Sequence, residues 1–143
     1  MKNISNYLTI AGSLLFVFVL VKVTMAQSLP SISPKEAFEL EKMQKAIIVD
    51  VREVEEILNG KIKGAKEIPL SLMGSDKTRF EKELEMLPKD KEILVYCRSG
   101  RRSGIVGAQL KAKGYQVKNL GGFSDWEKSG LPTEKSSCFS SKC

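Results

Sequence analysis

KEILVYCRSGRRSGIVGAQLKAKG, Lys91 to Gly114, decides how the rest of the chain is read. Ile93 to Tyr96 form a continuous apolar run, the pattern of a strand buried on both faces. From Arg101 onward the residues read as a helix that Gly114 stops. Cys97 closes the strand, and Arg98, Ser99 and Gly100 connect it to the helix. A buried strand that feeds a short loop and then a helix is the repeating unit of an α/β sheet.

The same alternation continues on either side. Ser33 and Pro34 open a helix as N-cap and first helical residue, and Ala37, Phe38, Leu40 and Met43 give it an apolar stripe. AIIVD, 46–50, is another strand of the buried kind. EVEEILNG reads as a short helix stopped at Gly60, GAKEIPL as a brief extended segment, and DKTRFEKELEMLP as an amphipathic helix closed by Pro88. YQVKNL is a third strand, GGF a turn, and SDWEKSG a short helix capped by Ser124. The pattern predicts an α/β domain with a largely parallel sheet flanked by helices. Right-handed crossovers bring the carboxyl ends of such strands to one edge, where open sheets bind ligands. Asp50 and Cys97 both fall on that edge.

The chemistry is concentrated at Cys97. Backbone N–H groups of the loop and the start of the helix favour negative charge. Arg98, Arg101 and Arg102 add full charges, and Gly100 lets the backbone curl. Each of these favours thiolate, the nucleophilic form, in an exposed thiol. The chain holds no histidine, which removes the commonest metal ligand and general base. No metal and no cofactor are expected. The plain alternative is a buried structural cysteine.

YCRSGRRSG, taken with VDVREVEEILNGKIKGAKEIPL and NLGGFSDWEKSGLP, resembles the rhodanese family of sulfurtransferases. The motifs follow the family's order and span Ile32 to about Pro132. The resemblance implies a three-layer rhodanese-like fold and a sulfane sulfur carried as a Cys97 persulfide. It implies a small anionic donor such as thiosulfate and an acceptor that is cyanide or a thiol, including a protein thiol. The active-site loop would comprise Arg98, Ser99, Gly100, Arg101, Arg102 and Ser103, with at least one arginine binding the donor. Related phosphatases need Cys-x5-Arg, whereas the sixth residue after Cys97 is Ser103. Asp50 and Arg52 match positions that brace the site, and they read equally as a salt bridge at the sheet edge. Lys61 stands where the family usually has histidine. Phe123 and Trp126 would pack as core under the loop. A carrier or non-catalytic module that delivers sulfur to a partner protein is the alternative function, because fold alone does not fix activity.

The chain has 143 residues, enough for one domain with extra ends. Its net charge of +6 is scattered among acids, so no nucleic-acid footprint is expected. Residues 1–26 read as a signal peptide or an N-terminal membrane anchor. Lys2 precedes an uncharged run, Tyr7 to Val21, and Ala26 ends a small-residue site with Thr24 at minus three. The run is shorter than the roughly 20 residues of a full span. Either outcome places the remainder outside the cytoplasm, in the periplasm or an equivalent space. Residues 27–133 form the domain and 134–143 a flexible tail. Cys138 and Cys143 in that tail make a poor zinc site without histidine. They read as a disulfide, or as thiols that take or reduce the Cys97 sulfur.

Overall fold

Four parallel strands, β1 (Ala46–Asp50), β3 (Lys66–Glu67), β4 (Glu92–Cys97) and β5 (Val117–Gly122), build the central sheet in the order β3-β1-β4-β5. The structure is a computed structural model describing residues 28–135. The helices are α1 (Pro34–Lys42), α2 (Val54–Leu58), α3 (Leu72–Ser75), α4 (Lys77–Glu85), α5 (Arg101–Ala112) and α6 (Phe123–Lys128). A small second sheet pairs β2 (Lys61–Ile62) with β6 (Thr133–Glu134). The apolar run 7–21 and the cysteines at 138 and 143 lie outside the described residues.

The sheet is the middle of three layers, and β4 shows why its sequence is apolar throughout. Ile93, Val95 and Cys97 face α4 and α5, packing with Phe80, Leu84, Val106 and Leu110. Leu94 and Tyr96 face the other way, toward Ala37, Leu120 and Trp126 of the α1 and α6 side. A strand covered on both faces cannot alternate apolar with polar residues. The fold class expected from the sequence is the one observed.

Local chemistry sets the ends. Ser33 Oγ accepts the Glu36 N–H at 3.3 Å, with Pro34 in the first turn of α1. Asp76 caps α4 through the Arg79 N–H at 3.0 Å. Two expectations change near β5. GGF is not a separate turn: β5 runs to Gly122, and α6 starts at Phe123 with Gly122 rather than Ser124 as its N-cap. The reason is a bulge. Val95 pairs with Asn119 but Tyr96 pairs with Gly121, leaving Leu120 extra. Gly121 absorbs the irregularity at φ +84. Trp126 is buried, but beneath α1 rather than beneath the cysteine loop. Its ring meets Phe38 edge-on at 6.0 Å and its Nε1 donates to the Pro132 carbonyl at 3.0 Å.

The domain also extends past its expected end at 133. Glu134, assigned to the tail from sequence, is a strand residue opposite Lys61. Lys61 holds this corner: its Nζ lies 2.6 Å from Glu67 Oε1, 3.4 Å from Glu134 Oε1 and 3.1 Å from the Ala65 carbonyl. A lysine thus clamps β2, β3 and β6 where histidine would stand in the family pattern.

Asp50 is fully buried at the end of β1, and Arg52 is 4% exposed. The guanidinium meets the carboxylate through Nε at 3.0 and 3.1 Å and Nη2 at 2.6 Å. Tyr96 Oη donates to the same carboxylate and accepts the Ile62 N–H at 3.1 Å. Removing one partner from a buried ion pair strands the other charge, at about 3–5 kcal/mol. Asp50→Ala is therefore expected to lower the free energy of unfolding by about 3–5 kcal/mol in urea titration. A loss below about 1 kcal/mol, the range of an exposed pair, would show that the pair does not brace the sheet edge.

Candidate active site

The end of β4 delivers Cys97 into a connection of three residues, Arg98, Ser99 and Gly100, before α5 begins at Arg101. Gly100 adopts φ +85, a left-handed conformation that glycine accepts without strain. That twist turns its N–H onto Cys97 Sγ at 3.1 Å. Ser103, in the first turn of α5, brings its hydroxyl to 3.7 Å from the same sulfur. The thiol is thus capped by the start of a twelve-residue helix, whose unpaired N–H groups carry partial positive charge.

Cys97 is fully buried, not exposed as the sequence suggested. Burial alone pushes a thiol up, since it disfavours the charged form. The N–H groups of Ser103, Ser99 and Gly100 and the Ser103 hydroxyl outweigh that effect and hold Cys97 below its ordinary value. The site therefore combines the burial of a structural cysteine with the electrostatics of a nucleophile.

The three loop arginines divide. Arg102 is tied to α2, meeting Glu56 Oε2 at 2.5 Å and Oε1 at 2.9 Å, with Glu53 Oε1 at 3.5 Å. The Glu56 carboxylate raises Arg102 above its ordinary value, and the nearby Cys97 charge acts in the same direction. Arg102 in turn lowers Glu56. Arg98 and Arg101 are exposed and make no ion pair among the described residues. Arg98 lines a cleft of about 470 Å³ together with Arg52, Glu56, Phe123, Ser124 and Glu127.

Asp50 and Arg52 form the salt bridge at the sheet edge, and Arg52 also lines the cleft. Burial works against the charge of Arg52, but Asp50 more than offsets it and holds the guanidinium above its ordinary value. The guanidinium also forms part of the cleft wall. It stacks over Phe123 at 4.2 Å and donates to the Gly60 carbonyl at 2.7 Å. Phe123 is half-buried and stacks on Tyr96 at 6.1 Å, so it packs against the core and lines the cleft as well.

Asn119 escaped the sequence reading. Its Nδ2 donates to the Gly100 carbonyl at 2.9 Å, and its Oδ1 accepts the Gly121 N–H at 2.9 Å. Ser103 Oγ lies 2.8 Å from Asn119 Oδ1 and 2.9 Å from the Gly100 carbonyl. The amide thus holds the carbonyl of Gly100, the residue whose N–H points at the sulfur. Ser103 has one proton for three acceptors, so its partner follows the charge on Sγ. The only signal in the sequence was an amide inside a strand, next to glycines. Of the residues expected from sequence, Cys97, Ser99, Gly100 and Ser103 converge on the sulfur, while Arg98 and Arg52 line the cleft. Arg101 is exposed at the start of α5 and does not line the cleft.

The chain is similar to proteins of one known family. A family model described as Rhodanese-like domain matches residues 33–129. A sulfurtransferase from Allochromatium vinosum is 36% identical over 91 residues, covering 62% of this chain and 78% of that protein. A thiosulfate sulfurtransferase from Actinobacillus succinogenes is 27% identical, covering 72% and 88%. Two other bacterial relatives are longer, and the match spans 56% and 52% of their lengths. The solved structure of a rhodanese-like domain protein from Staphylococcus aureus superimposes with a TM-score of 0.59 at 31% identity, covering 73% of this chain and 97% of that one.

The cradle predicts a pH dependence. Cys97 gains its thiolate as pH rises through a value held below that of an ordinary cysteine, about 8.5. Alkylation by iodoacetamide should therefore reach half its maximal rate at a lower pH than it does for an ordinary cysteine. In Asn119→Ala the Gly100 carbonyl is released and the midpoint should move up, because the Gly100 N–H loses its fixed aim at Sγ. An unchanged midpoint would show that Asn119 does not position the cradle.

Proposed function

The chain belongs to the Rhodanese-like domain family, and from that membership we propose that it transfers sulfane sulfur through a Cys97 persulfide, with thiosulfate as donor and cyanide or a thiol as acceptor. The observation that carries this reading is the cradle itself. A buried sulfur faces three backbone N–H groups and a hydroxyl at a helix start, and is held below the ordinary thiol range.

The reaction takes two steps. Cys97 thiolate attacks the outer sulfur of thiosulfate, the donor S–S bond breaks and sulfite leaves. The enzyme then holds Cys97–S–S⁻. The N–H groups that stabilise the thiolate also suit the terminal anionic sulfur, as donors do in an oxyanion hole. An acceptor thiolate or cyanide attacks that outer sulfur, and Cys97 leaves as the thiolate it began as. Its lowered pKa helps here, because a better-stabilised thiolate leaves faster.

The cradle is small. The strand and helix are joined by only three residues, and Gly122 approaches so closely that a Cβ there would sit 2.7 Å from the Arg98 carbonyl oxygen. That suits a single sulfur atom better than a tetrahedral oxyanion. Arg102 is held by Glu56, which leaves Arg98 to attract the donor in the cleft. The thiosulfate name carried by the Actinobacillus relative supports the same donor.

Incubation with thiosulfate should add the mass of one sulfur atom to the chain, and Cys97→Ser should abolish it. Arg98→Ala should raise the KM for thiosulfate about tenfold with kcat nearly unchanged, the effect of losing one charge-assisted contact of about 1.4 kcal/mol. An absent adduct, together with no thiocyanate from cyanide, would sink the enzymatic reading.

We further propose that the domain works outside the cytoplasm. The basis is the leader-like run from Tyr7 to Val21 and the small-residue site at Ala26. Expressed with this leader in a Gram-negative host, the protein should appear in the periplasmic fraction with a new N-terminus at Gln27. Retention in membranes with Met1 intact would favour an anchor, and a cytosolic product would overturn the export reading.

A further inference from the structure

We propose that Leu29 is a positioning residue for the sulfur cradle: it anchors a strap, residues 29–32, that holds Asn119, and Asn119 in turn holds the loop over Cys97. This role deepens the sulfur-transfer reading above and rests on it for its place in catalysis.

β5 is the last strand of the central sheet, and the outer edge of such a strand presents open N–H and C=O groups. The strap covers that edge at Asn119. Ser31 bridges Asn119 in parallel. The Asn119 N–H donates to the Pro30 carbonyl at 2.8 Å, and the Asn119 carbonyl accepts the Ile32 N–H at 3.1 Å. Both backbone groups of this residue are thus held by the strap, while its side chain carries the contacts to Gly100 and Ser103.

Leu29 fixes the strap to the domain. Its side chain occupies the space beside Gly107 of α5: a Cβ at Gly107 would lie 2.1 Å from Leu29 Cδ1 and 3.4 Å from Leu29 Cγ. Glycine is disfavoured inside a helix, and Gly107 is buried in the middle of α5. Its missing side chain lets Leu29 wedge between α5 and β5, where Val117 Cγ1 is 3.3 Å from the same Cβ position. Gly107 follows Ser103 by four residues, so the two share one face of the helix. Leu29 therefore braces α5 against β5 one turn from the point where Ser103 Oγ meets Asn119 Oδ1 at 2.8 Å.

The strap acts on Cys97 by position and not by charge. Leu29, Pro30, Ser31 and Ile32 are all uncharged. The charged groups around the sulfur belong to other elements. The loop and α5 contribute Arg98, Arg101 and Arg102, the last paired with Glu53 and Glu56 of α2. The end of β1 contributes the Asp50–Arg52 pair, and α4 packs on this face through the apolar Phe80 and Leu84. A change in Cys97 ionisation that starts at Leu29 reaches the sulfur through the Gly100 N–H, 3.1 Å from Sγ.

The test follows iodoacetamide alkylation of Cys97 against pH in the full chain, with the modified residue located by peptide mass spectrometry. The midpoint reports how strongly the thiolate is favoured, and the plateau rate at high pH reports access to the sulfur. Leu29→Ala should move the midpoint up, in the direction expected for Asn119→Ala. Gly107→Ala, which displaces Leu29 from the α5 side, should do the same. In the L29A/N119A double variant the midpoint should rise no further than in Asn119→Ala alone, because the strap acts through that residue. Leu87→Ala, buried between α4 and β4, should lose stability in urea and keep the wild-type midpoint. A wild-type midpoint in both Leu29→Ala and Gly107→Ala would overturn the inference. So would a double-variant shift equal to the sum of the two single shifts, or a shift in Leu87→Ala as large as that in Leu29→Ala, the mark of general loosening. Alkylation needs no sulfur donor, so the two readings separate. Wild type that takes no sulfur from thiosulfate, while Leu29→Ala still shifts the midpoint, would sink sulfur transfer and leave the hold of Leu29 on the cradle standing.

Discussion

The Asp50 carboxylate is the constraint on which the rest of the structure depends. It is fully buried, and an isolated buried charge would be very costly. Arg52 and Tyr96 satisfy it from two directions. Because they do, each is also placed for something else. Tyr96 remains protonated, raised by burial and by the adjacent carboxylate. Its oxygen can therefore accept the Ile62 N–H and anchor β2 to β4. Arg52 reaches the carbonyls of Glu56 and Gly60 and lies over Phe123. One carboxylate thereby sets the positions of α2, β2 and the cleft wall, on the residue adjacent to Cys97 in β4.

Cys97 shows how burial and reactivity coexist. The thiol sits on the face of β4 that packs against α4 and α5, where a neutral group would be expected. The helix start above it reverses that preference with fixed N–H groups. Such groups need no reorganisation when negative charge develops, which is the basis of electrostatic preorganisation. The cradle is itself supported. Gly100 must hold a left-handed twist, Asn119 must hold its carbonyl, and Gly122 must lack a side chain so that β5 can approach Arg98. The reactive sulfur is thus the last link in a chain of backbone requirements.

The sequence revealed what periodicity and local chemistry encode. β1 and β4 announce themselves by continuous apolar runs, α1 by Ser33 and Pro34, and the nucleophile by a cysteine between strand and helix. What it concealed depends on contacts between distant positions. Arg102 and Glu56 are 46 residues apart, so nothing local showed that this arginine was already engaged. Asn119 looked like an ordinary strand residue, because the bulge that aims it at Gly100 exists only once β5 is paired with β4. β2 and β6 contain two residues each, too few for any alternation to register. Glu134 consequently looked like tail. The burial of Cys97 was missed for the opposite reason: its charged neighbours suggested exposure, yet the N–H groups that matter carry no sequence signature.

The charge distribution around the loop follows from the same long-range pairing. A sequence count gives three arginines beside the cysteine, which suggests a strongly cationic mouth. In the folded chain Arg102 is neutralised by Glu56 and Glu53, Arg52 by Asp50, and Glu127 adds an acid to the cleft rim. Among the described basic residues of the cleft, Arg98 alone makes no ion pair. The anion preference at the sulfur is therefore short-ranged, set by N–H dipoles that act within a few ångströms, while the approach is nearly balanced. Such a site stabilises negative charge on the reacting sulfur without strongly concentrating free anions around it. The cradle sets the charge preference at the sulfur, while the cleft lined by Arg98 carries both signs of charge.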